Sequence, residues 1–248
     1  MAKPMEFLSE NLINTTTMIK VDSATGLTQY MFDRNRNIGY STVGYTSNTA
    51  SVISVEFATP TVVSHVLFQG TNLNAVSVFY DSATANSLYS MTGNSASGIY
   101  IEFASTTVSS IQVQLNAADG ERNIDELIIC ERVLAFERNP SYDNYTPTIF
   151  RKQVEHEMPD GGRVLFNIRD KFRGRLSWKF VTTTFHDALQ GVFESAQPLY
   201  FIPFATTTGW DAKGYEVVWT GGFDFKHSTN DKVQGFSGSI DIKETPSG

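Results

Sequence analysis

Residues 197–204 read QPLYFIPF, a run that is apolar from Leu199 onward and carries prolines at 198 and 203, inside a chain that is otherwise polar and acidic. Three readings compete for it: a membrane anchor, the wall of an active site, or a strand buried on both faces. The first fails on length, because a membrane-spanning helix needs ~20 apolar residues. The residues before the run decide between the others. Phe185, Ala188, Leu189, Val192, Phe193 and Ala196 recur at spacings of three and four, Thr184 is a suitable N-cap and Pro198 a stop, so a helix is predicted over about 184–196. A helix that hands the chain straight into LYFIPF sets a strand beside the surface it covers. Such a strand can be apolar throughout.

Upstream of that helix, KFRGRLSWKF sets Phe172, Leu176, Trp178 and Phe180 alternately with Lys171, Arg173, Arg175 and Lys179. The period of two predicts a strand with one apolar and one basic face. Before it, QVEHEM and RVLFNIR flank Pro159-Asp160-Gly161-Gly162, a hairpin signal. After the run, YEVVWTGGFDFKH and GFSGSIDIKE close the sheet, with a bulge or kink expected at Gly221-Gly222.

Residues 1–140 have another texture. Short runs (SVISVEFA, VVSHVLFQG, AVSVFYD, GIYIEFA, SSIQVQLNA, IDELIICERVLAF) alternate with Ser, Thr, Asn and Gly, which predicts a β-sandwich. Ile53, Val55 and Phe57 share one face of their strand, as do Ile99, Ile101 and Phe103, with Tyr100 and Glu102 expected on a wet face. RNPSYDNYTPT marks the boundary, with a linker expected at 141–150 and a second domain at 151–248. The expected architecture is all-β: a jelly-roll sandwich, then a β domain covered by one helix.

The charge is uneven. Residues 1–150 hold 7 Lys and Arg against 14 Asp and Glu, while residues 151–248 hold 12 against 12, so the net −7 belongs to the first part. An acidic chain without a glycine-rich phosphate loop speaks against nucleic-acid binding. Cys130, the only cysteine, sits in ELIIC and is expected to be a buried, unreactive thiol. Asp119, Glu121, Asn123 and Asp125 lack the ligand spacing of a calcium loop and read as a turn into the IDELIIC strand. GFSGS at 235–239 ends in serine and precedes a strand, unlike a nucleophile elbow. No acid, base, nucleophile, metal or cofactor constellation emerges, and no enzyme is expected. MAKPMEFLSENL has no signal-peptide character, so folding in a cytoplasm is expected.

Two resemblances extend this reading. NIGYSTVGYTSNTASVISVEFATPTVVSHVLFQG with GIYIEFASTTVSSIQVQLNAADGERNIDELIICERV resembles galactose-binding-like jelly rolls of the discoidin class. That resemblance implies either a sugar-binding loop, for which Arg34, Arg36, Tyr40 and Tyr45 are the candidates, or a docking module. The order KFRGRLSWKF, helix, PLYFIPF, VVWTGGFDFKH, GFSGSIDIKE is similar to segments of tail and baseplate proteins of tailed bacteriophages, distal-tail or minor-tail in type. It implies a structural virion component that forms a homo-oligomeric ring, docks other tail proteins and is assembled in the host bacterial cytoplasm. The alternative is a module that binds host surface glycans. Arg173, Arg175 and Lys179 are the candidate interface, to be weighed against a simply solvated charged face.

Overall fold

The computed structural model describes residues 4–13, 17–21, 28–33, 38–42, 51–81, 86–117, 120–140, 145–158, 162–195, 198–203, 214–227 and 235–245. The fold is all-β with one α-helix. The chain divides into two units, one formed by 1–135 with 202–214 and 246–248, the other by 136–201 and 215–245.

Unit 1 contains β1 (Glu6–Leu8), β2 (Met18–Val21), β3 (Tyr40–Ser41), β4 (Ser51–Thr71), β5 (Leu73–Tyr80), β6 (Ser87–Thr92), β7 (Gly98–Ala117), β8 (Asn123–Cys130) and β9 (Arg132–Ala135). β4 and β7 are long antiparallel partners whose register shifts between Glu56 and Thr61. Before the shift β4 has β2 as its other neighbour, and after it β8. The inward residues of both halves, Ile53 and Val55 on one and Val66 and Phe68 on the other, meet in one core with Val78, Ile101, Val113 and Leu127. Two long strands that bend and enter both layers thus make the sandwich from a single sheet.

The alternation places Ile99 and Ile101 in that core, with Phe103 packed at its edge. The opposite face of β7 differs from expectation: Tyr100 is only 4% exposed. The N-terminal segment covers that side of the sandwich. β1 pairs with β9, the Ser9 N–H donates to Glu131 O at 2.8 Å, and Leu12 N–H to Ile129 O at 2.8 Å. β8 is therefore buried on both faces, and Cys130 with it. Ahead of β8, Arg122 is fully buried; its guanidinium donates to Leu115 O at 3.2 Å and Gly120 O at 3.1 Å. These carbonyls offset part of the cost of burying the guanidinium.

Unit 2 contains β10 (Tyr145–Glu157), β11 (Arg163–Val181), α1 (Thr183–Ser195), β12 (Leu199–Ile202), β13 (Tyr215–His227) and β14 (Phe236–Glu244), in the sheet order β10-β11-β14-β13-β12. The stretch expected as a linker at 141–150 already carries the start of β10, because Tyr145 to Phe150 pair with Leu176 to Lys171. Thr146, Thr148 and Ile149 are β-branched, and Pro147 is tolerated because β10 is the outer strand of its sheet. Residues 141–144 lie outside the described residues. The helix is capped by Thr182 rather than Thr184, its Oγ1 accepting the Phe185 N–H at 3.1 Å.

β12 is buried at every residue. Phe201 stacks with Phe172 at 6.0 Å and with Phe136 at 6.4 Å, and from the helix Phe185 lies 5.8 Å from Trp178. β13 carries its irregularity between Thr220 and Asp224, which frees Phe223 to meet His186 and Phe193 of the helix. GFSGS contributes strand residues: Ser237 Oγ accepts the Phe180 N–H at 3.3 Å, and Ser239 Oγ accepts from Arg175 at 3.0 Å.

Phe180 breaks the alternation. Phe172, Leu176 and Trp178 are buried as expected, but Phe180 is 50% exposed and Val181 takes the inward place. A register shift against β14 between Trp178 and Val181 changes the parity, and Phe180 sits at φ 60° to make it. A left-handed conformation costs a bulky residue about 1–2 kcal/mol. Phe180→Gly is expected to raise the unfolding free energy by about 0.5–1 kcal/mol, since glycine takes that conformation without the Cβ clash and little packing is lost. Urea unfolding checks this; a destabilised variant would mean that the exposed ring is held by contacts worth more than the strain.

Candidate functional site

Three features of the described surface and interior come forward: an arm, a basic face and a buried polar network.

The arm arises because the β10–β11 hairpin outruns its sheet. β14 accompanies β11 only from Arg173 to Val181. Between Phe150↔Lys171 and Glu157↔Arg163, β10 and β11 pair with each other, and among the described residues no third strand joins them. This ribbon is roughly 25 Å long at about 3.3 Å per residue. Apolar side chains stay in solvent on it and at its root: Ile149 is 71% exposed, Leu165 61% and Met158 47%. β10 is also the outer strand of its sheet, with one row of backbone groups unpaired by any described strand.

The basic face lies on the side of the unit 2 sheet opposite the helix. Arg173 and Arg175 both point outward there, and Lys243 of β14 stands directly across from Arg173. With Thr148, Thr220 and Asp241 they line a shallow depression. Arg175 Nε is 3.9 Å from Asp241 Oδ1, with both side chains more than half exposed. Of the predicted interface residues, the structure thus groups Arg173 and Arg175, while Lys179 lies outside the depression near the bulge, exposed, its carbonyl accepting from Arg138 at 3.2 Å. Sequence reasoning missed Lys243: the alternation of Ile240 and Ile242 with Asp241 and Lys243 turns it to solvent, but only the β11–β14 pairing sets it beside Arg173.

The expected sugar loop is only partly described. Arg34, Arg36 and Tyr45 lie outside the described residues. Tyr40 is not a loop residue: it belongs to β3, pairs with Ile124 and is 1% exposed in the core. An aromatic residue between turn segments looks the same in sequence whether it stacks on a ligand or fills a sandwich, and here neighbouring β8 draws it inward.

The buried network occupies the face of β7 that was expected to be wet. Glu6 of β1, 2% exposed, accepts from the Tyr100 hydroxyl and from Arg132 Nε at 3.0 Å, and lies 3.5 Å from His65 Nε2. Arg132 also pairs with Glu102. Ser64 Oγ accepts the Arg132 backbone N–H at 2.7 Å and lies 2.8 Å from His65 Nδ1. Burial lifts the Glu6 carboxyl above its ordinary value of 4.5, outweighing Tyr100 and Arg132, which act in the opposite direction. Burial, then the charge of Glu6, pushes the Tyr100 phenol up, and burial lifts the Cys130 thiol well above its usual range. In each case burial, which disfavours the charged form, is the largest cause. The network ties the N-terminal strand to the sandwich. Among the described residues no three His, Cys, Asp or Glu side chains are placed to hold a metal ion.

Neither a protein family nor a curated protein matches the sequence. Solved structures align with about half of the chain. A GH29 fucosidase of Ruminococcus gnavus in complex with fucose aligns over 49% of this chain and 26% of its own, at 18% identity and a TM-score of 0.43. The chain therefore covers only about a quarter of that enzyme. A CBM32 module of Clostridium perfringens in complex with GalNAc-β-1,3-galactose aligns over 48% of this chain and 98% of its own, at 15% identity and a TM-score of 0.41. For the CBM32 of AlyQ in complex with 4,5-unsaturated mannuronic acid the figures are 49% and 96%, at 17% identity and 0.38. None of these is a tail or baseplate protein.

Proposed function

We propose that the chain is a non-enzymatic assembly protein of the tailed-phage tail or baseplate kind, in which unit 2 contacts other copies and unit 1 serves as an attached docking module. The arm carries this reading. A two-stranded ribbon is marginal by itself in water, and one that leaves Ile149 and Leu165 exposed beside an unpaired strand edge gains by pairing with another chain. Repeated head to tail, such a contact builds a ring where the rotation between copies closes. The tail-like order of the unit 2 segments points the same way, and the protein's place would then be the virion tail, assembled in a bacterial cytoplasm. Analytical ultracentrifugation of the whole chain tests it: oligomers are expected for the natural sequence, and monomers for Ile149→Ser combined with Leu165→Ser. A natural chain that stays monomeric at high micromolar concentration would overturn it.

A second reading gives unit 1 a host glycan to bind. It rests on the jelly-roll resemblance and on the sequence candidates Arg34, Arg36 and Tyr45, without Tyr40. Fucose and GalNAc-β-1,3-galactose, named with the structural neighbours, are the first ligands to try on a glycan array.

A further inference from the structure

We infer that the basic face of unit 2 docks on an acidic edge of unit 1 in a second copy of this chain, Arg173, Arg175 and Lys243 of one copy meeting Glu10 and Glu131 of the next. The inference rests on the assembly reading and names the two surfaces that would set the orientation of neighbouring copies.

The geometry of the basic side comes from strand parity. Arg173 and Arg175 are two residues apart on β11, and their partners across the ladder are Lys243 and Asp241 on β14. All four side chains therefore project from one face, three cations to one carboxylate. The ion pair within this group, Arg175 with Asp241, is long and exposed. Pairs of that kind contribute ~0–1 kcal/mol. The shallow depression between Thr148 and Thr220 admits a protruding carboxylate.

The acidic side is built by the N-terminal cover. Ser9 exchanges hydrogen bonds with Glu131, its N–H donating to Glu131 O at 2.8 Å and its Oγ accepting the Glu131 N–H at 3.0 Å. Glu10, next in the chain, is thereby brought close to Glu131, and both are exposed. Among the described residues neither carboxylate meets a cation. They belong to the part of the chain that holds all of the net charge of −7. Opposed potentials on two different surfaces favour a head-to-tail encounter between copies over a self-complementary one.

Charge exchange followed by ultracentrifugation tests the inference. Arg173→Glu with Arg175→Glu, and separately Glu10→Lys with Glu131→Lys, are each expected to weaken self-association about tenfold or more at low salt, the scale of close charge pairs across interfaces. Mixing the two variants should restore association between them, since the exchanged surfaces are again complementary. The neutral pair Arg173→Gln with Arg175→Gln guards against misfolding and should give a smaller loss with an unchanged circular dichroism spectrum. Normal association of either reversed variant, or no recovery on mixing, overturns the inference. If the Ile149→Ser, Leu165→Ser variant still dissociates in that case, the assembly reading stands without it; if the natural chain does not associate at all, both fall.

Discussion

Replacing Glu6 by alanine is expected to lower the unfolding free energy by about 3 kcal/mol. The side chain is almost fully buried and accepts from the Tyr100 hydroxyl and Arg132 Nε, with His65 Nε2 close by. Removing one partner of a buried charged pair costs about 3–5 kcal/mol where the other is left uncompensated. Here Arg132 keeps Glu102, and its side chain is one-third exposed, so the guanidinium is only partly stranded. Tyr100 loses its carboxylate acceptor but keeps His65 Nε2 at 3.1 Å, so the loss comes from that one hydrogen bond, at about 1–3 kcal/mol for a buried polar group, and from the space vacated. Urea unfolding followed by circular dichroism measures it; a loss below about 1 kcal/mol would mean that water reaches the network.

The same residue carries a pH dependence. Because the folded state lifts the Glu6 pKa above its ordinary 4.5, the native protein retains this proton to higher pH than the unfolded chain does. Its contribution is full below 4.5 and is lost as the pH rises through the folded-state value. Glu6→Gln cannot titrate and should remove that part of the slope.

Gly70→Ala is the second large effect, at about 2–5 kcal/mol. Gly70 ends the "FQG" stretch of β4 at φ 59°, where an added Cβ would lie 1.7 Å from Asp125 Oδ2 and 2.3 Å from its Cγ. Two costs combine: about 1–2 kcal/mol for a left-handed alanine, and about 1–3 kcal/mol for displacing a neighbour in a packed region. Gly93 separates them. It too has positive φ, at 76°, but a Cβ there meets nothing within 4 Å. Gly93→Ala should show the conformational cost alone, and equal losses at the two positions would rule out crowding by Asp125.

Much of this molecule was legible from short-range pattern. The alternation of Ile53 with Val55 and of Phe172 with Leu176 and Trp178, the helical spacing from Phe185 to Val192, and the apolar LYFI each report on one element and what covers it. These signals survive in sequence because side-chain direction follows backbone period within a single strand or helix. The basic faces of Arg173 and Arg175 were readable for the same reason.

What the sequence could not show are the facts that depend on a second segment. Tyr100 reads as a solvent-facing residue until residues 6–12, distant in the chain, are laid over it. Tyr40 reads as a loop aromatic until β8 pairs with it. Phe180 keeps the alternation of its strand on paper, yet the shift against β14 turns it out to solvent. Nor does any local period announce that Lys243 stands beside Arg173, or that Ser9 brings Glu10 to Glu131. The sequence by itself determined most of the elements and the apolar side of each, because those follow from local stereochemistry and apolar spacing. Only the tertiary structure decided which faces are covered and which charges are neighbours, because register and cross-chain contact are set by the free energy of packing the whole.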